Sequence, residues 1–189
     1  MSSSKPLWLE WALMVLISAL LFVEFFQLNG FLFDFLEHTQ GVNWIFLPAG
    51  FRVLLVLVLG LPGATGIALG TLWLNLPAFD SAHQLYILSV CLASGFGPWI
   101  VKYGMQQRRH LNHELKNISS ASLLQFVLLY ASLNAVAHQT IFWCFDTTNT
   151  APWIDVWPMF IGDTLGALLI LYTFKLCLPW LRTLARPKA

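Results

Sequence analysis

Charge is scarce in this chain. Only 10% of its 189 residues are Asp, Glu, Lys or Arg, against about 25% in a soluble domain. That shortage excludes a fold bathed in water on all sides. The net charge of +1 gives no case for nucleic acid, which is not expected as a partner. Cysteine is scarce too. Cys91, Cys144 and Cys177 lie in or beside apolar runs and form no CxxC pair, so a disulfide framework is excluded and small core residues are expected. There is no P-loop, no HExxH and no Ser-His-Asp spacing, and no nucleophile is placed with His138 and Asp163, so an enzyme is the least expected reading. No cofactor is expected: a haem would need a second His at the depth of His138, whereas His38 and His83 fall in outer loops. His110, His113 and Glu114 have zinc-like spacing, but they sit in a short basic loop, where a solvated surface is expected rather than a metal.

Apolar residues fill the space that charge leaves, at 58% of the chain. A membrane helix needs about 20 mainly apolar residues. Six runs fit: Leu7–Leu28, Asn43–Gly60, Gly63–Phe79, Gln84–Tyr103, Ser120–Phe145 and Val156–Leu178. The expected fold is therefore all-α, a polytopic transmembrane bundle of six spans with no soluble domain. The first run is too long for a signal-peptide core and lacks a small-x-small cleavage site, so it reads as a retained span. Leu61-Pro62-Gly63 should turn the second run tightly into the third.

Orientation follows from Lys and Arg. Lys5, then Lys102, Arg108, Arg109 and Lys116, then Lys175, Arg182, Arg186 and Lys188 flank the spans on one side. The opposite loops hold Asp34, Glu37, Asp80, Asp146 and Asp155 and no Lys or Arg. Six spans with both termini in the cytoplasm satisfy every loop. The sequon at Asn117 falls on the cytoplasmic side and is not expected to be glycosylated. The basic loop meets anionic lipid or a partner, or serves only as a topology anchor.

Within the spans, Gly63, Gly66 and Gly70 with Ala64 and Ala68, and Gly162 with Gly166, are spaced for close backbone packing. Gly95-Phe96-Gly97-Pro98 should kink or break the fourth span. Trp8, Trp11, Trp44, Trp153, Trp157 and Trp180 lie near span ends as an aromatic belt, and Trp44 and Trp157 are placed to roof an outer pocket.

Arg52 is the exception to the charge pattern. It lies inside an apolar run, where a cation costs at least ~2.5–3.5 kcal/mol, so it requires a partner or a role. At a rise of about 1.5 Å per residue, Arg52 is ~12 Å below the outer surface and Asp163 ~10 Å. Glu24 and Asn75 are each about 6 Å deep, His138 ~10 Å and Asn134 ~16 Å. These six polar residues share the outer and central bilayer, and the inner halves of the spans are almost purely apolar. A shared depth points to a pocket open to the outside, with Arg52 as its positive pole and Asp163 or Glu24 within ion-pair reach. The alternative is a closed Arg52–Asp163 pair that fixes helix register.

Two segments resemble a known family. Trp44-Ile45-Phe46-Leu47-Pro48-Ala49-Gly50, continuing through Gly60-Leu61-Pro62-Gly63 to Gly66-Ile67-Ala68-Leu69-Gly70 and Asn75, is similar to the early hairpin of the bacterial membrane-associated sensor domain (MASE, first class). Trp157 to Leu168, with Gly162-Asp163-Thr164-Leu165-Gly166, is similar to that domain's late W-x-x-G-D-x-x-G-x-L motif. The resemblance implies a sensory module in the bacterial inner membrane, usually fused to a cytoplasmic histidine kinase or cyclic-dinucleotide domain. This chain departs in having fewer spans and in stopping about ten residues after the sixth, without an output domain. Any signal would have to pass to a separate protein. The resemblance covers Asp163 but not Arg52, which stands where the family helix is apolar.

The expectation is a small sensor-type membrane protein that binds a small ligand or a partner helix around Arg52 and Asp163, with Glu24, His138, Asn134 and Asn75 as further candidates. Six spans around an outward polar pocket also look like the substrate-binding S component of energy-coupling-factor transporters. A structural subunit of a larger membrane complex is the third reading.

Overall fold

The computed structural model describes residues 7–39, 41–108, 111, 118–145 and 152–184, the side chains of 152 and 178–184 excepted. His110, His113, Glu114, Asn117 and Asp146, and the orienting cations Lys5, Arg109, Lys116, Arg186 and Lys188, lie outside the described residues.

Among the described residues six α-helices follow one another: α1 (Leu7–Phe33), α2 (Leu47–Leu59), α3 (Leu61–Asn75), α4 (Gln84–Gln107), α5 (Ser120–Cys144) and α6 (Pro152–Leu184). Four are long and apolar enough to cross a membrane, as a multi-pass membrane protein requires: α1, α4, α5 and α6. The other two helices are shorter than the runs 43–60 and 63–79 read for them, with 13 residues in α2 and 15 in α3. A short helix results because the chain bends at Trp44 and Ile45 and is still non-helical at Phe46, and because Gly60 ends α2 at a φ of 65°. That conformation suits a residue without a Cβ. The turn thus falls at Gly60, and Pro62 sits in the first turn of α3, where its missing N–H costs nothing.

Helix α2 is the centre of the bundle. It packs on α1, α3, α4 and α6, while α1–α3, α3–α4, α4–α5 and α5–α6 contacts run round it. Nine of its residues are buried, among them Ala49, Val53, Val56 and Leu57. The outer faces stay apolar: Leu16, Ile17 and Leu20 of α1 are each more than half exposed. Apolar exposure on that scale marks a surface built for lipid rather than water.

Glycines set the close contacts. A Cβ on Gly66 would strike Ser18 and the backbone of α1, and one on Gly95 would strike Ala64 and Ala68 of α3. On α6, a Cβ on Gly162 would collide with the carbonyl of Asn43, and one on Gly166 with that of Phe46. The non-helical segment before α2 therefore lies directly on the α6 backbone, and Phe46 N–H donates to the Gly162 carbonyl at 3.1 Å. Non-helical backbone is tolerated at membrane depth only when covered by protein in this way.

The Gly95–Pro98 stretch does not break α4, which runs unbroken from Gln84 to Gln107. Pro98 removes one donor, but packing of Gly95 on α3 and burial of Gly97 and Pro98 hold the helix together. The loop after α1 carries regular structure. A 3-10 turn (Asp34–Leu36) leads into a small antiparallel hairpin, β1 (Glu37–Thr39) and β2 (Val42–Asn43), turning at Gly41.

Candidate functional site

Arg52 lies on the inward face of α2 and is 4% exposed. Its Nη1 donates to the Tyr130 hydroxyl at 3.2 Å and, over a long 3.5 Å, to Asn134 Oδ1. Its Nη2 donates to Ser94 Oγ at 3.3 Å. The guanidinium also sits 5.1 Å from the ring centroid of Phe22 and 5.3 Å from that of Phe46, within cation–π range.

Helix α5 supplies most of the partners because Tyr130, Asn134 and His138 are spaced by four residues and share one face. His138 Nδ1 faces the Asn134 carbonyl at 3.0 Å. A carbonyl only accepts, so Nδ1 carries the hydrogen, and in the neutral ring Nε2 accepts from Ser94 Oγ at 3.2 Å. Ser94 therefore accepts from Arg52 and donates to His138. Asn134 plays the same double role: Oδ1 accepts from Arg52, and Nδ2 donates to Asp163 Oδ2 at 2.7 Å.

This geometry corrects the predicted ion pair. Among the described residues, the His/Lys/Arg–carboxylate contacts within 4.0 Å are His38–Asp155 and His83–Asp80. Arg52 and Asp163 communicate through the Asn134 amide instead. Both are buried, so the amide spreads the charge without a direct contact.

The cluster forms the floor of a cavity of about 520 Å³. Arg52, Ser94, Asn134, His138 and Asp163 line it, with Phe22, Phe26, Phe46 and Phe142. Asn75 of α3 lines it too, its Nδ2 held by the Thr71 carbonyl at 2.8 Å. Asp34 and Glu37 from the turn and hairpin line the mouth. The expected polar set is thus brought together save for one member. Glu24 is exposed and does not line the cavity. It stands two residues after Phe22, about 200° round the helix from the face that carries Val15, Ser18, Phe22 and Asn29.

Neither Trp44 nor Trp157 roofs the cavity. Both are exposed, and Trp44 stands edge-on to the ring of His38. The approach to the floor is shaped by Asn29, whose Oδ1 accepts from Leu47 N–H at 2.8 Å and so caps the start of α2 from α1.

No family model, curated protein or solved structure matches the chain. Its chemistry must be read from its own residues.

Tyr130 and Ser94 were not among the expected site residues. A hydroxyl is cheap to place in a span, so neither stood out by composition. The signal for Tyr130 was its spacing of four from Asn134 and eight from His138. Ser94 carried no comparable signal beyond its place next to the Gly95–Pro98 stretch.

Proposed function

We propose that this chain is a ligand-receiving module of the bacterial inner membrane, which binds a small molecule in the outer cavity and passes the event to a separate protein. The observation that carries this reading is the cavity of about 520 Å³ with the Arg52 guanidinium in its floor. Small-molecule sites run from about 300 to 1,000 Å³, with apolar walls and a few placed polar groups. A cluster that served only to lock helices would have no reason to stand open.

The same reading takes all six helices as membrane-embedded with both termini in the cytoplasm. The non-helical segment 43–46 leads into α2, a helix of about 20 Å, and lengthens it at its start. The 3-10 turn Leu76–Ala78 extends α3 in the same way. Each then approaches the ~30 Å hydrocarbon thickness. The likeness of the Trp44–Asn75 and Trp157–Leu168 segments to a sensor domain agrees with a receptor role and supplies the expectation of a signalling partner.

The test is a melting-shift screen of the full chain in lipid nanodiscs against a small-metabolite library, paired with isolation of the tagged chain from its native membrane. We expect a compound that raises Tm for the wild type but not for Arg52→Leu/Asp163→Leu, and one stoichiometric partner with a cytoplasmic output domain. A transporter ATPase as that partner would favour the S-component reading. A wild-type chain that binds nothing, beside a stable and functional double variant, would overturn both.

A further inference from the structure

Asp163 has one oxygen engaged and one without a partner. Oδ2 receives the Asn134 amide at 2.7 Å, while Oδ1 accepts from none of the described residues. Arg52 Nε also lacks a partner, but it is sealed on every side, and Asp163 Oδ1 is not. Asp163 is only 1% exposed and lines the cavity, so that small opening gives onto the cavity. A carboxylate oxygen buried without a donor is costly, so the position calls for an N–H or O–H carried by a ligand.

Charge selects the donor. The described lining holds three carboxylates, Asp34, Glu37 and Asp163, against one guanidinium, that of Arg52. The neutral His138 ring adds nothing, with Nδ1 on a carbonyl and Nε2 on Ser94. Arg52 and Asp163 offset each other through Asn134, so the excess charge is negative and lies at the mouth. An anion is opposed there. At Oδ1 an ammonium touches the carboxylate itself, while the guanidinium is held off that carboxylate by the width of Asn134. Coulomb energy falls with distance, so the charge in contact outweighs the one set back.

The walls suit the rest of such a molecule. Phe26, Tyr86 and Phe142 offer ring surface, which attracts cations and packs apolar groups, and Leu74 and Val90 add aliphatic surface. Asp34 and Glu37 are exposed at the mouth, where they raise the local concentration of a cation before it enters.

We infer that the cavity takes a protonated primary amine with an apolar body, its ammonium donating to Asp163 Oδ1 and its body lying against Phe26, Tyr86 and Phe142. The inference rests on the ligand-receiving reading above and narrows it to one chemical class.

The experiment is calorimetric titration of the full chain in uncharged phosphatidylcholine nanodiscs, corrected against empty nanodiscs. The probes are two matched series: phenethylamine, phenethyl alcohol and hydrocinnamate, and hexylamine, hexanol and hexanoate. Saturable one-to-one binding is expected for an amine, about tenfold or more tighter than for its alcohol or carboxylate, the scale of a charge-assisted hydrogen bond. Asp163→Asn should erase the preference for amine over alcohol. Because Asp163→Asn is exposed to misfolding, Asp34→Asn/Glu37→Gln provides a second arm. It alters exposed residues only, and should weaken the amine about threefold, the scale of an exposed charge, with the alcohol unchanged. No saturable amine binding, an amine preference that persists in folded Asp163→Asn, or indifference to Asp34→Asn/Glu37→Gln would each overturn the inference. An alcohol or carboxylate that binds as tightly as its amine would overturn it too, yet leave the ligand-receiving reading standing. If every probe fails, the inference falls, and the metabolite screen above decides that reading separately.

Discussion

Asn134 Nδ2 donates to Asp163 Oδ2 over 2.7 Å, the shortest hydrogen bond in the buried cluster, while Oδ1 of the same amide receives Arg52. One neutral side chain thus stands between two buried charges. Asn134→Leu should therefore cost more than its own bonds, because it strands both. Loss of about 3–5 kcal/mol is expected, the range for an uncompensated buried charge. Arg52→Met/Asp163→Leu, which removes both charges, should be less destabilising than the sum of its single variants. Reversible unfolding in mixed micelles measures the cycle, and strict additivity would show that the two charges are not coupled.

The α6 glycines give a second prediction. Gly162→Ala and Gly166→Ala place a methyl where the Asn43 and Phe46 carbonyls lie, and overpacking of this kind costs about 1–3 kcal/mol. Gly97→Ala and Gly104→Ala meet nothing within 4 Å and should be neutral or slightly stabilising. Melting temperatures of the four variants in one detergent decide it. Equal effects would mean that the segment before α2 does not rest on α6.

The third concerns Lys102 of α4. Its Nζ donates to the Val56 and Leu57 carbonyls, each at 3.0 Å, at the C-terminal end of α2. Lys102→Met should remove up to about 2 kcal/mol, the scale of a partly buried cation at a helix C-terminus. Hydrogen exchange at the amides of α2 and of the Gly60 turn reports it. Protection unchanged there would assign Lys102 to membrane topology alone.

The loop before α4 carries a pH dependence. Asp80 Oδ1 accepts from the backbone N–H groups of Ala82 and His83 and contacts His83 Nδ1 at 2.8 Å. The backbone bond from His83 comes first in holding its carboxyl below the usual carboxylate range, and the His83 side chain adds to it. A carboxyl depressed in the folded state stabilises above its unfolded pKa, and that contribution is lost as pH falls through the folded value. The first turn of α4 should therefore fray in acid, below the ordinary Asp range, and Asp80→Asn should remove the transition. Amide exchange at Ala82–Gln84, followed as the pH falls from neutral to below the ordinary Asp range, checks it.

Much of this was written plainly in the sequence. The helices α1, α4, α5 and α6 are apolar runs long enough to be read directly, and Arg52, Asn75, Asn134, His138 and Asp163 were all found by depth alone and share one cavity. Depth says nothing of azimuth, which is why Glu24 was placed with them and proves to face outward. The direct Arg52–Asp163 pair failed for a related reason. Opposite charges at one level attract in a one-dimensional reading, but the width of Asn134 keeps them apart. The non-helical segment 43–46 was hidden because apolar irregular backbone and apolar helix have the same composition. Gly162 and Gly166 announced a close neighbour, but their spacing suits a helix as well as the segment that lies there.

Helix α2 is fastened at both ends by other parts of the bundle. Asn29 of α1 and the Gly162 carbonyl of α6 hold the residues at its start, and Lys102 of α4 holds its finish. A strut pinned at top and bottom cannot slide along its axis, so a push on Arg52 midway must emerge as a pull on whatever it is pinned to. Of those anchors, Lys102 is the one on the cytoplasmic side in the proposed orientation, which makes the end of α4 the natural outlet for a force that enters from outside.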